Sequence, residues 1–241
     1  MDGIKVKGLS VAYGENRVFD GFDITFPAGE ISVVMGSSGV GKSTLLGAIA
    51  GLTPYEGEIE KPEGGISFIF QKDRLIPSIS VHKNLDLVLR GVIADKAERR
   101  LRIAEMLEKL EISGKAESYP TELSGGESLR VAMARAFLFP SEVLLMDEPF
   151  RALDIGLKMR LSEELHGLLA DSPRTVVYVT HDPDECLLSA DGWTVLAGSP
   201  ARVVGSGRID LARKGRELAS PAITEERAKI FSLIAARKDG V

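Results

Sequence analysis

Apolar and polar residues alternate through much of residues 4 to 34, as in Ile4, Val6 and Ile24, Phe26, with Gly14, Asn16, Pro27 and Gly29 marking turns. A period of two broken by turn residues predicts antiparallel sheet. An apolar strand from Ile31 to Met35 then runs into a glycine-rich turn, and Ser43 to Ala50 carries helix formers before Gly51 ends it. Short apolar runs at Ile66 to Phe70, Val143 to Met146, Thr175 to Thr180 and Thr194 to Leu196 read as strands buried on both faces, which implies a parallel central sheet.

Between Phe70 and Val143 the period changes to that of a helix. Leu101, Ala104, Leu107 and Leu110 fall on one face of a charged segment, with Asp95 and Glu98 placed to cap its start. This segment reads as an inserted helical subdomain. Leu157, Leu161, Leu165 and Leu168 predict a further helix, and Ile223, Phe231 and Ile234, preceded by Ser220 and Pro221, predict another near the C-terminus. No internal repeat, low-complexity tract or long Pro/Gly linker interrupts the chain, so residues 1–241 read as one domain. Its expected parts are a catalytic core with an antiparallel portion (about 1–70 and 140–215), the helical subdomain (about 72–139) and a C-terminal helix (about 216–241).

Composition narrows the function classes. The chain has 241 residues, 44% of them hydrophobic, and a net charge of -5, which supports a substantial core and disfavours nucleic acid as a partner. Cys186 is the only cysteine, so an intramolecular disulfide and a multi-cysteine metal site are excluded. The N-terminal residues lack the apolar core of a signal peptide, and charged residues interrupt every apolar run well short of a membrane span. Work at a membrane would therefore need another polypeptide to do the spanning, with this chain docked on its cytoplasmic side.

Three segments carry chemistry. Gly36-Ser37-Ser38-Gly39-Val40-Gly41-Lys42-Ser43 fits G-x-x-x-x-G-K-[ST], in which small residues let backbone N–H groups wrap phosphate oxygens at a helix start. Lys42 reaches the β and γ phosphates in such a loop, Ser43 offers a hydroxyl to Mg²⁺, and Thr44 helps hold the α/β end. Val143 to Met146 is an apolar strand delivering Asp147 and Glu148 at its C-terminal end, where open α/β sheets bind ligands. Asp147 is expected to order the Mg²⁺ shell, and Glu148 to polarise the attacking water. Leu123-Ser124-Gly125-Gly126-Glu127 opens an apolar-faced helix through Leu129, Met133, Ala136 and Phe137. Ser124 and Glu127 make a capping box of the kind many helices carry for stability alone. The same glycine-rich start is also a second phosphate site, which one chain could supply to its neighbour.

Taken in order, Gly36 to Thr44, Gln71, Leu123 to Glu127, Asp147 and Glu148, Ala152-Leu153-Asp154 and His181 resemble the motif set of ABC ATPase subunits. The resemblance implies an α/β fold, with a P-loop NTPase core around a mainly parallel sheet, an N-terminal antiparallel β subdomain and an inserted α-helical subdomain. It also implies a head-to-tail homodimer with ATP held between the phosphate loop of one copy and Ser124, Gly125, Gly126 and Glu127 of the other. Gln71 matches a glutamine that touches Mg²⁺ and the attacking water, His181 a histidine on the γ-phosphate, Tyr13 an aromatic stacked on adenine, and Asp154 a residue at the dimer seam. His82 and His166 match nothing of the kind and read as structural. The implied partners are integral membrane permease subunits and, indirectly, a solute-binding protein. The alternatives are a soluble ABC ATPase of DNA repair or translation, and an unrelated phosphate-loop kinase or GTPase.

The chain also departs from the pattern. Leu129 stands where relatives commonly have Gln, and Arg151 where Ser is frequent, which puts a large cation near the expected seam. Ile76-Pro77-Ser78 replaces a bulky aromatic of some relatives. Glu148-Pro149-Phe150, the His181-Asp182-x-x-Glu185 spacing and the run Ser199 to Val204 resemble ATPases of nitrate, sulfonate and taurine importers.

Overall fold

The computed structural model describes residues 3–151, 153–213 and 216–235. Ala152 of the expected seam segment, Lys214 and Gly215 of the expected core, and positions 236–241 of the expected C-terminal helix lie outside the described residues.

Among the described residues two sheets form, and most of their strands follow the apolar pattern of the sequence. In the first, β1 (Ile4–Tyr13) lies between β2 (Asn16–Phe26) and β4 (Glu56–Glu60), antiparallel to both. The pairs Ile4 with Phe26 and Val6 with Ile24 set the register, so the alternating apolar residues fall on one buried face. Strand β4 has a single large apolar residue, Ile59, and its sequence gives no strand signal. It is held by its backbone ladder with β1 and by Ile59 packed against the buried face, and exposed pairs of Lys5 with Glu60 and Lys7 with Glu58, each at 3.6 Å, add to it.

The second sheet has the order β5-β6-β7-β3-β8-β9. Strands β5 (Ile66–Ile69), β6 (Val143–Asp147), β7 (Thr175–Thr180), β3 (Ile31–Gly36) and β8 (Gly192–Ala197) are parallel, and β9 (Arg202–Arg208) closes the edge antiparallel. Ile31 to Met35 thus belongs to the parallel sheet and not to the antiparallel one. This strand, β7 and most of β6 are buried on both faces, because alternate residues serve two cores. Val34, Leu145, Val177 and Val179 pack with α1 (Lys42–Ile49) and the first sheet. Val33, Met35, Leu144, Met146, Val176 and Tyr178 pack under the helices of the other face. Strands β5 and β8 lie farther out and leave alternate residues only partly covered, so the expectation that they are buried on both faces is corrected.

The helical layer contains α2 (Val81–Leu89), α3 (Lys96–Lys109), α4 (Gly125–Leu138), α5 (Ile155–Asp171), α6 (Pro183–Ser189) and α7 (Pro221–Ala235). Asp95 caps α3 by accepting from the Ala97 N–H at 3.0 Å, whereas Glu98 bonds Arg102 instead. The buried stripe of α3 is Ile103, Leu107 and Leu110. Leu101, expected inward, is 59% exposed, because packing against α2 and α4 rotates the helix to the neighbouring face. On α7 the buried residues are Ile223 and Ile230, and Phe231 points outward. His166 is partly buried, and burial together with the nearby Arg213 and Arg216 charges pushes it down to about 4, so it is a neutral structural residue.

Candidate nucleotide site

The parallel sheet gathers the candidate residues at one end. Strand β3 delivers the loop from Gly36, β5 leads to Gln71, β6 ends on Asp147 with Glu148 next, and β7 ends before His181. These strands are hydrogen-bonded neighbours in the order β5, β6, β7, β3, so side chains distant in sequence converge beyond their C-terminal ends.

Two glycines give the loop its shape. Gly36 has φ of 154°, and a Cβ there would lie 2.6 Å from the Leu196 carbonyl oxygen. Gly41 has φ of 112°, and its Cβ would lie 2.6 Å from Val18 Cγ1. The loop therefore passes against β8 and β2 with backbone alone. Lys42 folds back over it, donating from Nζ to the Gly36 carbonyl at 2.8 Å and to the Ser37 carbonyl at 3.0 Å. Burial pushes this ammonium below its ordinary value, and the charges of Glu148 and Asp147 work the other way.

The carboxylates are held differently from each other. Asp147 Oδ1 accepts from Ser43 Oγ at 3.0 Å, joining the ends of the two motifs. Burial raises its pKa, the Ser43 bond opposes the rise, and the adjacent Glu148 charge adds to it. Glu148 adopts φ of 44° and bonds its N–H to the Val179 carbonyl at 2.9 Å, which turns its side chain across the strand ends. Its Oε1 lies 3.1 Å from His181 Nδ1 and 4.0 Å from Lys42 Nζ. Its Oε2 accepts from Gln71 Nε2 at 3.5 Å and from Arg151 Nη1 at 3.4 Å. Arg151 was notable from the sequence only as a departure near the seam; its contact with Glu148 comes from the tight turn that follows the strand.

An open cleft of about 310 Å³ runs between these groups and the first sheet. Tyr13, Ser38, Gly39, Lys42, Ser43 and Thr44 line one side, and Gln71, Asp147, Glu148 and Arg151 the other. Tyr13 is 57% exposed there. Asn16 and Val18 also line the cleft, which the sequence did not signal, because only the hairpin pairing of Tyr13 with Asn16 brings them to it. Val40 is instead buried in the core beneath the loop.

Ser124 to Glu127 and Asp154 do not line this cleft. Ser124 is the N-cap of α4: its Oγ accepts from the Glu127 N–H at 3.3 Å, and Glu127 Oε2 accepts from the Ser124 N–H at 2.8 Å. The Ser124 backbone bond, reinforced by Lys115, pulls the Glu127 carboxyl down to about 2. Gly125 and Gly126 leave the helix start without side chains. Asp154 caps α5, accepting from the Leu157 N–H at 3.0 Å.

Comparison with known proteins identifies this arrangement. Residues 19–151 match the family described as ABC transporter. An aliphatic sulfonates import ATP-binding protein of Rhodococcus jostii (strain RHA1) is 41% identical over 196 residues, covering 78% of this chain and 77% of that protein. A Clostridium perfringens chain described as part of the ABC transporter complex cbiONQ superposes with a TM-score of 0.77 at 25% identity, covering 86% of this chain and 89% of its own. A bacterial ABC transporter cassette solved as a dimer gives 0.76 at 28% identity, covering 87% of this chain and all of its own. Import relatives of this kind weigh against the DNA-repair and translation alternative. The chain belongs to the ABC transporter family, as an ATP-binding and ATP-hydrolysing subunit that powers transport.

Proposed function

We propose that the chain is the motor of an importer for small sulfonate-like anions, working as a head-to-tail homodimer on permease subunits at the cytoplasmic face of the membrane. Among the described residues, no helix is long and apolar enough to cross a membrane, so spanning falls to the permease. The import and sulfonate reading is supported by the Rhodococcus relative and by the Glu148-Pro149-Phe150 and His181-Asp182-x-x-Glu185 segments. A solute-binding protein completes the proposed assembly.

The observation that carries the dimer is the separation, within one chain, of two phosphate-binding features. The cleft beside Gly36 to Thr44 lacks Ser124 to Glu127, whose bare helix start is itself suited to phosphate. A second copy turned head to tail brings the two together. The loop amides and Lys42 hold the β and γ phosphates, Tyr13 stacks on adenine, and Asp154 lies at the seam. Ser43 and Asp147 present oxygen donors 3.0 Å apart, with Gln71 nearby, which is the donor chemistry of Mg²⁺. Bound there, Mg²⁺ supplies charge neutralisation for the phosphate oxygens. Glu148 orients water and accepts its proton as the water oxygen bonds the γ-phosphorus and ADP leaves. His181 holds Glu148 and reaches the γ-phosphate.

The test is Glu148→Gln. It keeps the cleft's shape, removes the proton acceptor, and is expected to abolish turnover while ATP accumulates a stable dimer, read by sedimentation. Hydrolysis at the unaltered rate would remove Glu148 from this role.

A further inference from the structure

We propose that Lys158 is a positioning residue for His181, tying the first turn of α5 at the dimer seam to the loop that carries the histidine. The proposal rests on the reading of His181 as a γ-phosphate contact.

His181 is itself weakly restrained: its side chain is 56% exposed, and Glu148 is its polar contact. Its two neighbours are locked. Thr180 is buried, and its hydroxyl donates to Glu185 Oε2 at 2.6 Å while accepting from the Asp182 N–H at 3.1 Å. Glu185 also accepts from the hydroxyl of fully buried Tyr178 at 2.5 Å. Burial and the Glu185 charge push that phenol well above its ordinary value, so it remains a neutral donor. A carboxylate 4% exposed with only hydroxyl partners would be costly to ionise. Lys158 supplies the missing charge, with Nζ 2.7 Å from Glu185 Oε1 and 2.7 Å from Asp182 Oδ2. Burial works against the ammonium, and its bonds to Asp182 and Glu185 outweigh that, holding its pKa above the ordinary lysine value.

The other end of Lys158 leads to the seam. Its backbone N–H bonds the Asp154 carbonyl at 2.9 Å, closing the first turn of α5. Asp154 and His181 are thus joined through one backbone bond, one lysine side chain and the Asp182 turn. A shift of the α5 start on dimer closure moves Nζ, and with it both anchors that flank His181. The sequence shows Glu185 only as a spacing after His181; Lys158 is indistinguishable there from any solvated helix lysine.

The test is steady-state ATP hydrolysis by the full-length chain, with ATP binding and thermal melting measured alongside. Lys158→Met leaves the buried Glu185 carboxylate with hydroxyl partners and no opposite charge, and is expected to destabilise. Lys158→Met combined with Glu185→Gln removes both charges together, and Asp182→Asn cuts the link to the loop while keeping an acceptor for the Asp184 N–H. In each folded variant kcat falls about 10- to 100-fold, the cost of misplacing a catalytic group by a fraction of an ångström to an ångström, with KM within about twofold. Lys158→Arg restores most of the rate. His181→Ala gives the floor, and adding Lys158→Met to it costs no further activity, because both act through one group. Unchanged kcat in the folded variants, or losses that multiply with that of His181→Ala, would overturn the role of Lys158 and leave the reading of His181 standing. If His181→Ala itself hydrolyses ATP normally, the reading of His181 fails and takes this inference with it.

Discussion

Replacing Arg151 by serine, the residue relatives often carry there, probes how Glu148 is held. The guanidinium reaches Oε2 at 3.4 Å, at the long end of hydrogen bonding, and is 59% exposed, while Glu148 is 14% exposed. A half-solvated pair of this geometry contributes about 0.2–1 kcal/mol. The contact occupies an oxygen that water needs, so losing it is expected to raise kcat by about 1.4- to 5-fold, the same energy expressed as a rate ratio. Arg151 also lines the cleft that receives the phosphates, so its loss weakens ATP binding to a comparable degree. Arg151→Lys keeps the charge on a shorter, less directed donor and falls between. The assay is phosphate release against ATP concentration, with binding measured separately. A fall in kcat on Arg151→Ser, with Glu148→Gln inactive as expected, would refute the view that Arg151 competes for Glu148.

Other substitutions test the surrounding structure. Ser124→Arg places a bulky cation at the start of α4 and is expected to block ATP-dependent dimerisation while one copy still binds nucleotide, separable by sedimentation and equilibrium binding. Arg174 is buried at the foot of the helical layer, where its guanidinium donates to the carbonyls of Ala136, Phe137 and Phe139 and to Ser67 and Ser141. Arg174→Met strips those carbonyls of their donor and is expected to cost at least about 3 kcal/mol, lowering Tm by roughly 6–12 °C in calorimetry; a change under about 2 °C would contradict the clamp. Glu127 has a folded pKa of about 2 against an ordinary 4.5, so its stabilisation is full above about 4.5 and is lost as pH falls toward 2. The Tm difference between the protein and Glu127→Gln should be widest near neutrality and close across that window; a difference independent of pH would show that the charge is not what the cap uses.

Much of this was readable in the sequence where local rules and tertiary demands agree. The loop from Gly36 to Thr44 is legible because backbone geometry permits only small residues at Gly36 and Gly41. Strands β6 and β7 are legible because helices cover one face and α1 with the first sheet covers the other, which demands continuous apolar runs. Strand β4 was hidden because Ile59 is its one large apolar residue, so no apolar alternation marks a segment that its ladder with β1 holds. Helix α2 escaped because its buried apolar residues, Val81, Leu85 and Leu89, span little more than two turns. The outward Leu101 and the inward Ile103 show tertiary packing choosing between two adjacent faces of α3, both apolar enough to serve. Within the site, the motif residues could be named in advance, but the clustering of four partners around one carboxylate could not. That depends on the left-handed backbone of Glu148 and on strand neighbours far apart in sequence.

The central claim is that each working site is shared between two copies, and complementation between two inactive variants tests it most directly. In a mixed dimer of Ser124→Arg and Glu148→Gln, one site receives an intact Glu148 from the first copy and an intact Ser124 from the second. The other site carries both defects. Ser124→Arg copies do not close on each other, so a mixed dimer, with one sound site and one doubly altered site, is the productive pairing, and equal mixing is expected to raise the ATPase rate above that of either variant, to at most about half of the unaltered rate. If the mixture hydrolyses ATP no faster than the two variants alone, although mixed dimers form, Ser124 and Glu148 serve the same site from within one chain and the shared-site account is contradicted.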